Sequence, residues 1–327
     1  LAIVLRIYPN ILAMKKISHS MAKLLRVGRL QFLISGLALF VLGALLAVRL
    51  GATFSLPRLI LGYLVILTAQ LSVHYSNDYF DVAMGRAGGT TPFSGGSGVL
   101  LEHPELRKPA LWIAVALIGC SLGTGLFFLI DYRYPFWMFG FVLIGNLLGW
   151  FYSAPPFRLS ARGLGELAFT FIGGVLIPGM GYLVMKRKLD SAGAFILIPL
   201  LLYGLASILS VEIPDMEADR QGDKRNWVAR QGRAFGFSLV GLCLLVATGY
   251  FFTFPSLSMR QVPLDLHVLG LLSLLPLSAG MLGLIRQPLQ RQPATRIAIW
   301  TVLSLVFLDT CQWLLDFPGI ELTAGLS

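Results

Sequence analysis

Residues 57–81 read PRLILGYLVILTAQLSVHYSNDYFD: twenty predominantly apolar residues run straight into Asn77-Asp78-Tyr79-Phe80-Asp81. Twenty residues of this character are what a helix needs to cross the hydrocarbon of a bilayer. The same order recurs downstream, where the apolar run 191–211 leads into Glu212-Ile213-Pro214-Asp215 and then Glu217, Asp219 and Asp223. These two clusters hold seven of the sixteen acidic residues in the chain. Carboxylates delivered to the mouths of membrane helices are costly and usually mark function.

Working outward, the 327 residues are 56% hydrophobic and 13% charged, with a mean hydropathy of +0.76. That is too apolar for a water-soluble domain of this length, and the chain is read as a polytopic membrane protein. Spans can be drawn at 30–50, 57–76, 109–130, 135–152, 164–185, 191–211, 234–254, 264–285 and 297–315. The expectation is an all-α membrane bundle of about nine transmembrane helices. A basic N-terminal tail over 1–27 precedes a single transmembrane domain over 28–327. Two long connections, 77–108 and 212–233, carry the acids and are read as the active-site loops.

Placing the amino terminus in the cytoplasm puts 19 of the 26 Lys and Arg on the inner side. Both acidic clusters then emerge on the cytoplasmic face, with Lys186-Arg187-Lys188 as a local outer exception to the positive-inside rule. The net charge of +10 is accounted for by topology, anionic lipid headgroups and diphosphate. Nucleic acid is not an expected partner, because the chain has no basic, aromatic-laced soluble module. Cys120, Cys243 and Cys311 are widely spaced, without a CxxC pair, and read as free buried thiols.

If the second span continues as helix through 85, Asn77, Asp78 and Asp81 lie three and four residues apart and share a face. Asp215, Asp219 and Asp223 repeat at four and form a second stripe. Magnesium takes oxygen ligands and is commonly held by one or two carboxylates plus substrate phosphates. Two facing stripes therefore suggest Mg2+ gripping a diphosphate, with Asn77, Asp78, Asp81, Asp215, Asp219 and Asp223 as candidate ligands. Candidate anion-binding cations are Arg86, Arg158, Lys224 and Arg225, whereas Arg162 and Glu166, four apart, are read as pairing with each other. The run from Gly88 to Gly98 is a lid, a turn or an anion cradle, lacking the Gly-Lys-Ser/Thr end of a P-loop. Tyr152 and Ser153, before Pro155-Pro156, end the fourth span on the same side and have hydroxyls to offer a substrate. Asn146, two turns earlier, either lines the pocket or bonds between helices. His74 and Asp309 are read as structural.

On these motifs the chain resembles the UbiA-type family of intramembrane aromatic prenyltransferases. The family pattern N-D-x-x-D-x-x-x-D is matched by Asn77, Asp78 and Asp81, and D-x-x-x-D by Asp215 and Asp219. The Tyr152–Pro156 segment, Arg162-Gly163-Leu164-Gly165-Glu166, and Lys224-Arg225 after Asp219 extend the likeness along the chain. Within the family it is most similar to the 1,4-dihydroxy-2-naphthoate polyprenyltransferases of menaquinone synthesis. Two positions depart: Gly85 stands where the motif has its last Asp, and Arg158 where many relatives have Lys. The resemblance implies Mg2+-dependent transfer of a polyprenyl group from its diphosphate to an aromatic acceptor, with Asp78, Asp81, Asp215 and Asp219 as catalytic residues. A transporter, the rival reading, would place its charges near the midplane on broken helices. A CDP-alcohol phosphatidyltransferase would show a D-G-x-x-A-R signature, which is absent.

Overall fold

The computed structural model describes residues 20–83, 96–222, 224–257 and 266–316, with the side chains of 196, 254–257 and 309–316 outside that description. Arg86, Gly85, Asp223, residues 88–95 of the glycine-rich run and the side chains of Asp309 and Cys311 therefore lie outside the described residues. Every described element is helical. Among the described residues nine long helices coincide with the nine expected spans: α1 Leu33–Arg49, α2 Leu56–Ala83, α3 Arg107–Ile130, α4 Phe136–Ser153, α5 Gly165–Lys186, α6 Ser191–Gln221, α7 Arg233–Leu257, α8 Leu266–Arg286 and α9 Arg291–Asp316. Among the described residues, eight stretches are long and apolar enough to cross a membrane, the first of them extending back to Ser20.

The helices pack as a ring. α2 lies against α3, α4 and α5; α6 lies against α5 and α7; α8 joins α7 to α9; and α9 closes back on α1 and α6. One apolar core is shared by α6–α9 and a second by α1–α5. Outward faces carry Trp112 (72% exposed), Phe136 and Trp300, the inverse of a soluble protein and the surface expected toward lipid tails. Cys243 is buried, but Cys120 sits on this outward face instead of in the core.

Close backbone approach sets the α1–α5 contact. A Cβ added at Gly43 would lie 1.8 Å from the Pro178 carbonyl oxygen, and one at Gly181 1.8 Å from that of Phe40. Small residues at crossing points are how membrane helices gain contact without a hydrophobic driving force between them. α5 also carries a π-turn over Ile172–Leu176, where Gly174 lets the α6 backbone come close at Leu201.

At the end of the bundle away from the acidic motifs, cations cap helix carbonyls. Lys186 Nζ donates to the Leu50 carbonyl at 3.1 Å, Arg58 to that of Met185 at 3.3 Å, and Arg187 to those of Tyr132 and Arg133. This basic run, expected as a local exception to the positive-inside rule, satisfies carbonyl groups at the ends of helices. Asp190 caps α6, accepting from Gly193 N–H at 3.1 Å and Tyr182 Oη at 2.6 Å. Partial burial favours its neutral form, but those bonds and Lys186 at 2.8 Å prevail and hold the carboxyl down at about 2.

The expected tail is part of the bundle from Ser20 onward. Residues 20–27 are helical, Val27 is fully buried, and Leu24 accepts a hydrogen bond from Tyr75 of α2 at 3.0 Å. The helix breaks at Gly28 and at Arg29, which takes a left-handed φ of 47°.

Candidate functional site

α2 does continue past its apolar stretch, carrying the first motif on its last turns. Asp78 is buried, and both its oxygens accept the Ser97 N–H, at 3.0 and 3.1 Å. The Ser97 hydroxyl donates to Oδ2 as well. The far end of the glycine-rich run therefore clasps a motif carboxylate: its backbone N–H, expected at an anion, is used within the protein. Gly96 permits this approach, since a Cβ there would sit 3.0 Å from Asp78 Oδ1. Beside them, Asn77 Oδ1 is buried without a hydrogen-bond partner among the described residues.

The second motif lies near the end of α6. Asp215 is buried, and Glu212, Asp215 and Asp219 fall at i, i+3 and i+7, one stripe of a helix. Glu217 leaves this stripe. It points outward and forms a bidentate pair with the buried Arg233, whose remaining donors reach the carbonyls of Ile213 and Leu289. Asp219 Oδ2 accepts from Asn226 Nδ2 at 2.7 Å, and Asn226 in turn caps the short helix Trp227–Gln231 through Ala229 N–H.

Lys224 joins the motifs. Its Nζ lies 3.7 Å from Asp219 Oδ1 and 4.0 Å from Asp81 Oδ2, so one ammonium spans the gap between α2 and α6. Lys224, expected as a cation for the diphosphate, stands here between the two acidic motifs. Arg225, Arg158 and Arg162 are exposed, with Arg158 in a left-handed conformation (φ 45°).

The 152–166 segment forms a third wall. Ser153 is buried, and Tyr152 lies within electrostatic range of Glu212, Glu166, Asp81 and Asp219. The loop is stitched to the second motif: Arg225 N–H donates to the Ala161 carbonyl at 3.2 Å, Trp227 Nε1 to that of Gly163 at 2.9 Å, and Trp227 N–H to Glu166 Oε1. Gly163 has φ +75°, and a Cβ there would stand 3.0 Å from the Arg225 carbonyl, so glycine is required twice over. Glu166 is thus not the partner of Arg162. It is wholly buried and anchors the backbone that follows Asn226.

Asn146 takes the second of the two readings open to it, bonding between helices. Its Nδ2 donates to Ser121 Oγ at 3.0 Å and to the Val142 carbonyl at 2.9 Å, linking α4 to α3 inside the bundle, and it borders a small apolar cavity with Val65, Phe141 and Leu176. Three residues near the acids were not anticipated: Ser97, Asn226 and Arg29. Arg29 lies within electrostatic range of Asp78, and its guanidinium rests 4.4 Å over the Phe32 ring. The helix break at Gly28-Arg29 and the Asn-x-x-Ala cap at 226–229 are the signals that carry them.

The donors offered by both motifs are oxygens, the set that suits Mg2+. Among the described residues no three His, Cys, Asp or Glu side chains converge closely enough to hold an ion by themselves. Such a site fits a metal that takes the rest of its ligands from phosphate, and the unsatisfied Asn77 Oδ1 supplies a further free acceptor.

Comparison with known proteins agrees with this architecture. The model of the UbiA prenyltransferase family matches residues 37–308. The 1,4-dihydroxy-2-naphthoate octaprenyltransferase of Bacillus subtilis (strain 168) is 24% identical over 181 residues, 55% of this chain and 57% of that protein, so the match spans little more than half of its length. Among solved structures, digeranylgeranylglyceryl phosphate synthase superposes with a TM-score of 0.67 at 14% identity, covering 91% of this chain and 99% of the other. A UbiA homologue from Archaeoglobus fulgidus bound to GPP and Mg2+ superposes at 0.61, with 16% identity, over 89% of this chain and 99% of the other.

Proposed function

We propose, given that the chain belongs to the UbiA prenyltransferase family, that it transfers a polyprenyl group from its diphosphate to an aromatic acceptor, 1,4-dihydroxy-2-naphthoate. The observation that carries this reading is the meeting of two Asp motifs from α2 and α6 around one ammonium, at the mouth of an apolar bundle. The name of the Bacillus relative supports the acceptor, and the GPP and Mg2+ of the Archaeoglobus homologue support the donor and the metal.

Asp78, Asp81, Asp215 and Asp219, with Asn77 Oδ1, are the groups that would hold Mg2+ together with the diphosphate. When bound, the ion supplies Lewis-acid stabilisation of the departing diphosphate. Lys224 offers a mobile point charge to the same oxygens as negative charge grows on them. The donor's tail lies among apolar side chains, and the closed helix interior keeps water from the allylic carbon while it is cation-like. The ring carbon of the acceptor then forms the new bond as the carbon–oxygen bond to diphosphate breaks, and aromaticity returns when that carbon gives up the group it carried, a proton or the carboxyl group as CO2.

Purified protein in detergent, given a polyprenyl diphosphate and Mg2+, is expected to form a carbon-linked prenyl naphthalenoid and release diphosphate without any membrane gradient. Transfer to hydroxybenzoate, homogentisate, a porphyrin or a glycerol phospholipid in its place would overturn the acceptor while keeping the reaction. Gradient-driven uptake into sealed vesicles with no covalent product would overturn the reaction itself.

The same reading places the motifs and the amino terminus on the cytoplasmic side of the cell membrane. Single cysteines at Gln221, by the second motif, and Lys188, at the opposite end, test this in a thiol-free background. A membrane-impermeant thiol reagent outside intact cells is expected to label position 188 and spare 221. The reverse pattern would invert the topology.

A further inference from the structure

Two carboxyl oxygens near the site are buried with nothing to accept. Glu166 is fully buried; its Oε1 receives the Trp227 N–H, but its Oε2 has no hydrogen-bond partner among the described residues. Glu212, 8% exposed, likewise leaves Oε2 without a partner. They stand on the packed helices α5 and α6, act on each other electrostatically, and both act on Tyr152. A buried acceptor left unmade is costly, so two in one neighbourhood call for a donor that arrives with a ligand.

The protein's own cations do not supply it. Lys224 is engaged between Asp219 and Asp81, and Arg162 and Arg230 are exposed. The group that arrives must bring a donor and must suit a buried, largely apolar setting. A neutral hydroxyl donor on an apolar frame fits both requirements. Position points the same way: Glu212 lies one turn before Asp215, about 4.5 Å deeper along α6. A diphosphate held at the Asp motifs would present its first carbon toward that depth.

We infer that Glu166 and Glu212, with Tyr152 beside them, form the pocket that receives the ring hydroxyls of the acceptor. This inference rests on the prenyl-transfer reading and deepens it, by fixing the acceptor class as a hydroxylated aromatic ring and placing it on α5 and α6.

Binding of 1,4-dihydroxy-2-naphthoate and of its 1,4-dimethyl ether to the full chain in detergent, read by calorimetry, tests the pocket from the ligand side. The ether is expected to bind at least roughly tenfold more weakly, the loss of a hydrogen bond to a buried acceptor. From the protein side, Glu212→Met removes the acceptor at similar size, and is expected to weaken the diol by a like factor with binding of geranyl diphosphate and Mg2+ unchanged. Glu212→Gln keeps a carbonyl acceptor and is expected to restore most of the affinity. Equal binding of diol and ether, no binding of the diol to the unaltered chain, or a Glu212→Met variant that binds the diol normally would each overturn the pocket. Prenyl product formed alongside any of these results would leave the transfer reaction standing. Diol-selective binding with no prenyl product from any acceptor would overturn transfer and leave the pocket.

Discussion

Asp215→Ala is expected to lower prenyl transfer by roughly 10²–10³-fold, the effect typical of removing one preorganised electrostatic group from an active site. Asp215 is buried on the inward stripe of α6, between Glu212 and Asp219, where its charge is poorly screened by water. Asp81→Ala is expected to lose a comparable factor, because Asp81 faces the same Lys224 ammonium from the opposite helix. Asp219 needs a gentler change: Asp219→Asn keeps an oxygen for the Asn226 amide and so separates loss of charge from loss of the Asn226 hydrogen bond. Single-turnover product formation, measured beside thermal unfolding of each variant, is the test. A folded Asp215→Ala protein with near-normal turnover would show that the two motifs are not the site of chemistry. Activity surviving in excess chelator would remove Mg2+ from the mechanism while leaving the carboxylates in place.

Gly181→Ala is expected to be the most damaging single methyl in the bundle. The added Cβ would stand 1.8 Å from the Phe40 carbonyl oxygen and 2.9 Å from the Ala44 nitrogen, both backbone atoms of α1, so no side chain can turn aside to make room. α1 and α5 must separate, and the loss is expected to reach about 3 kcal/mol, at the upper end of overpacking effects. Gly43, facing the Pro178 carbonyl, makes the reciprocal contact. Gly119 of α3 is the control: a Cβ there meets nothing within 4 Å, and Gly119→Ala is expected to be neutral or stabilising by up to about 1 kcal/mol from helix propensity. Thermal unfolding in one detergent, at one protein concentration, compares the three. Equal midpoints for Gly181→Ala and Gly119→Ala would mean that the α1–α5 contact is loose enough to admit a methyl group.

A ring of helices with acids at its mouth was legible early because two signals in the chain are local. Apolar runs of bilayer length report spans wherever they end up, and the nine expected ones coincide with nine helices. Acids placed directly after such runs report a site at a helix mouth, and the motif spacing puts them on one face with no tertiary information. The local pairs fared worse. Arg162 and Glu166 have the spacing of a helical ion pair, yet the helix starts only at Gly165, so the two never share a face. Glu217 sits within the acidic run, but two positions from Asp215 and from Asp219 it lies about 200° around the helix from the stripe, where Arg233 takes it.

What the amino-acid order alone determined here is everything with a short range: membrane class, the helix count, the two acidic stripes, and Lys224 in the loop beyond Asp219. Tertiary structure decided which partners meet across long separations. Ser97 reaches Asp78 across 19 positions, and Trp227 reaches Glu166 across 61. No periodicity encodes such pairs, since a buried polar group bonds to whatever donor the packed helices bring within about 3 Å. Packing likewise assigned Asn146 to Ser121 and left Glu166 and Glu212 each with an oxygen that has no partner among the described residues. Those assignments follow from which helix faces are pressed together, a property of the whole ring that no single segment contains.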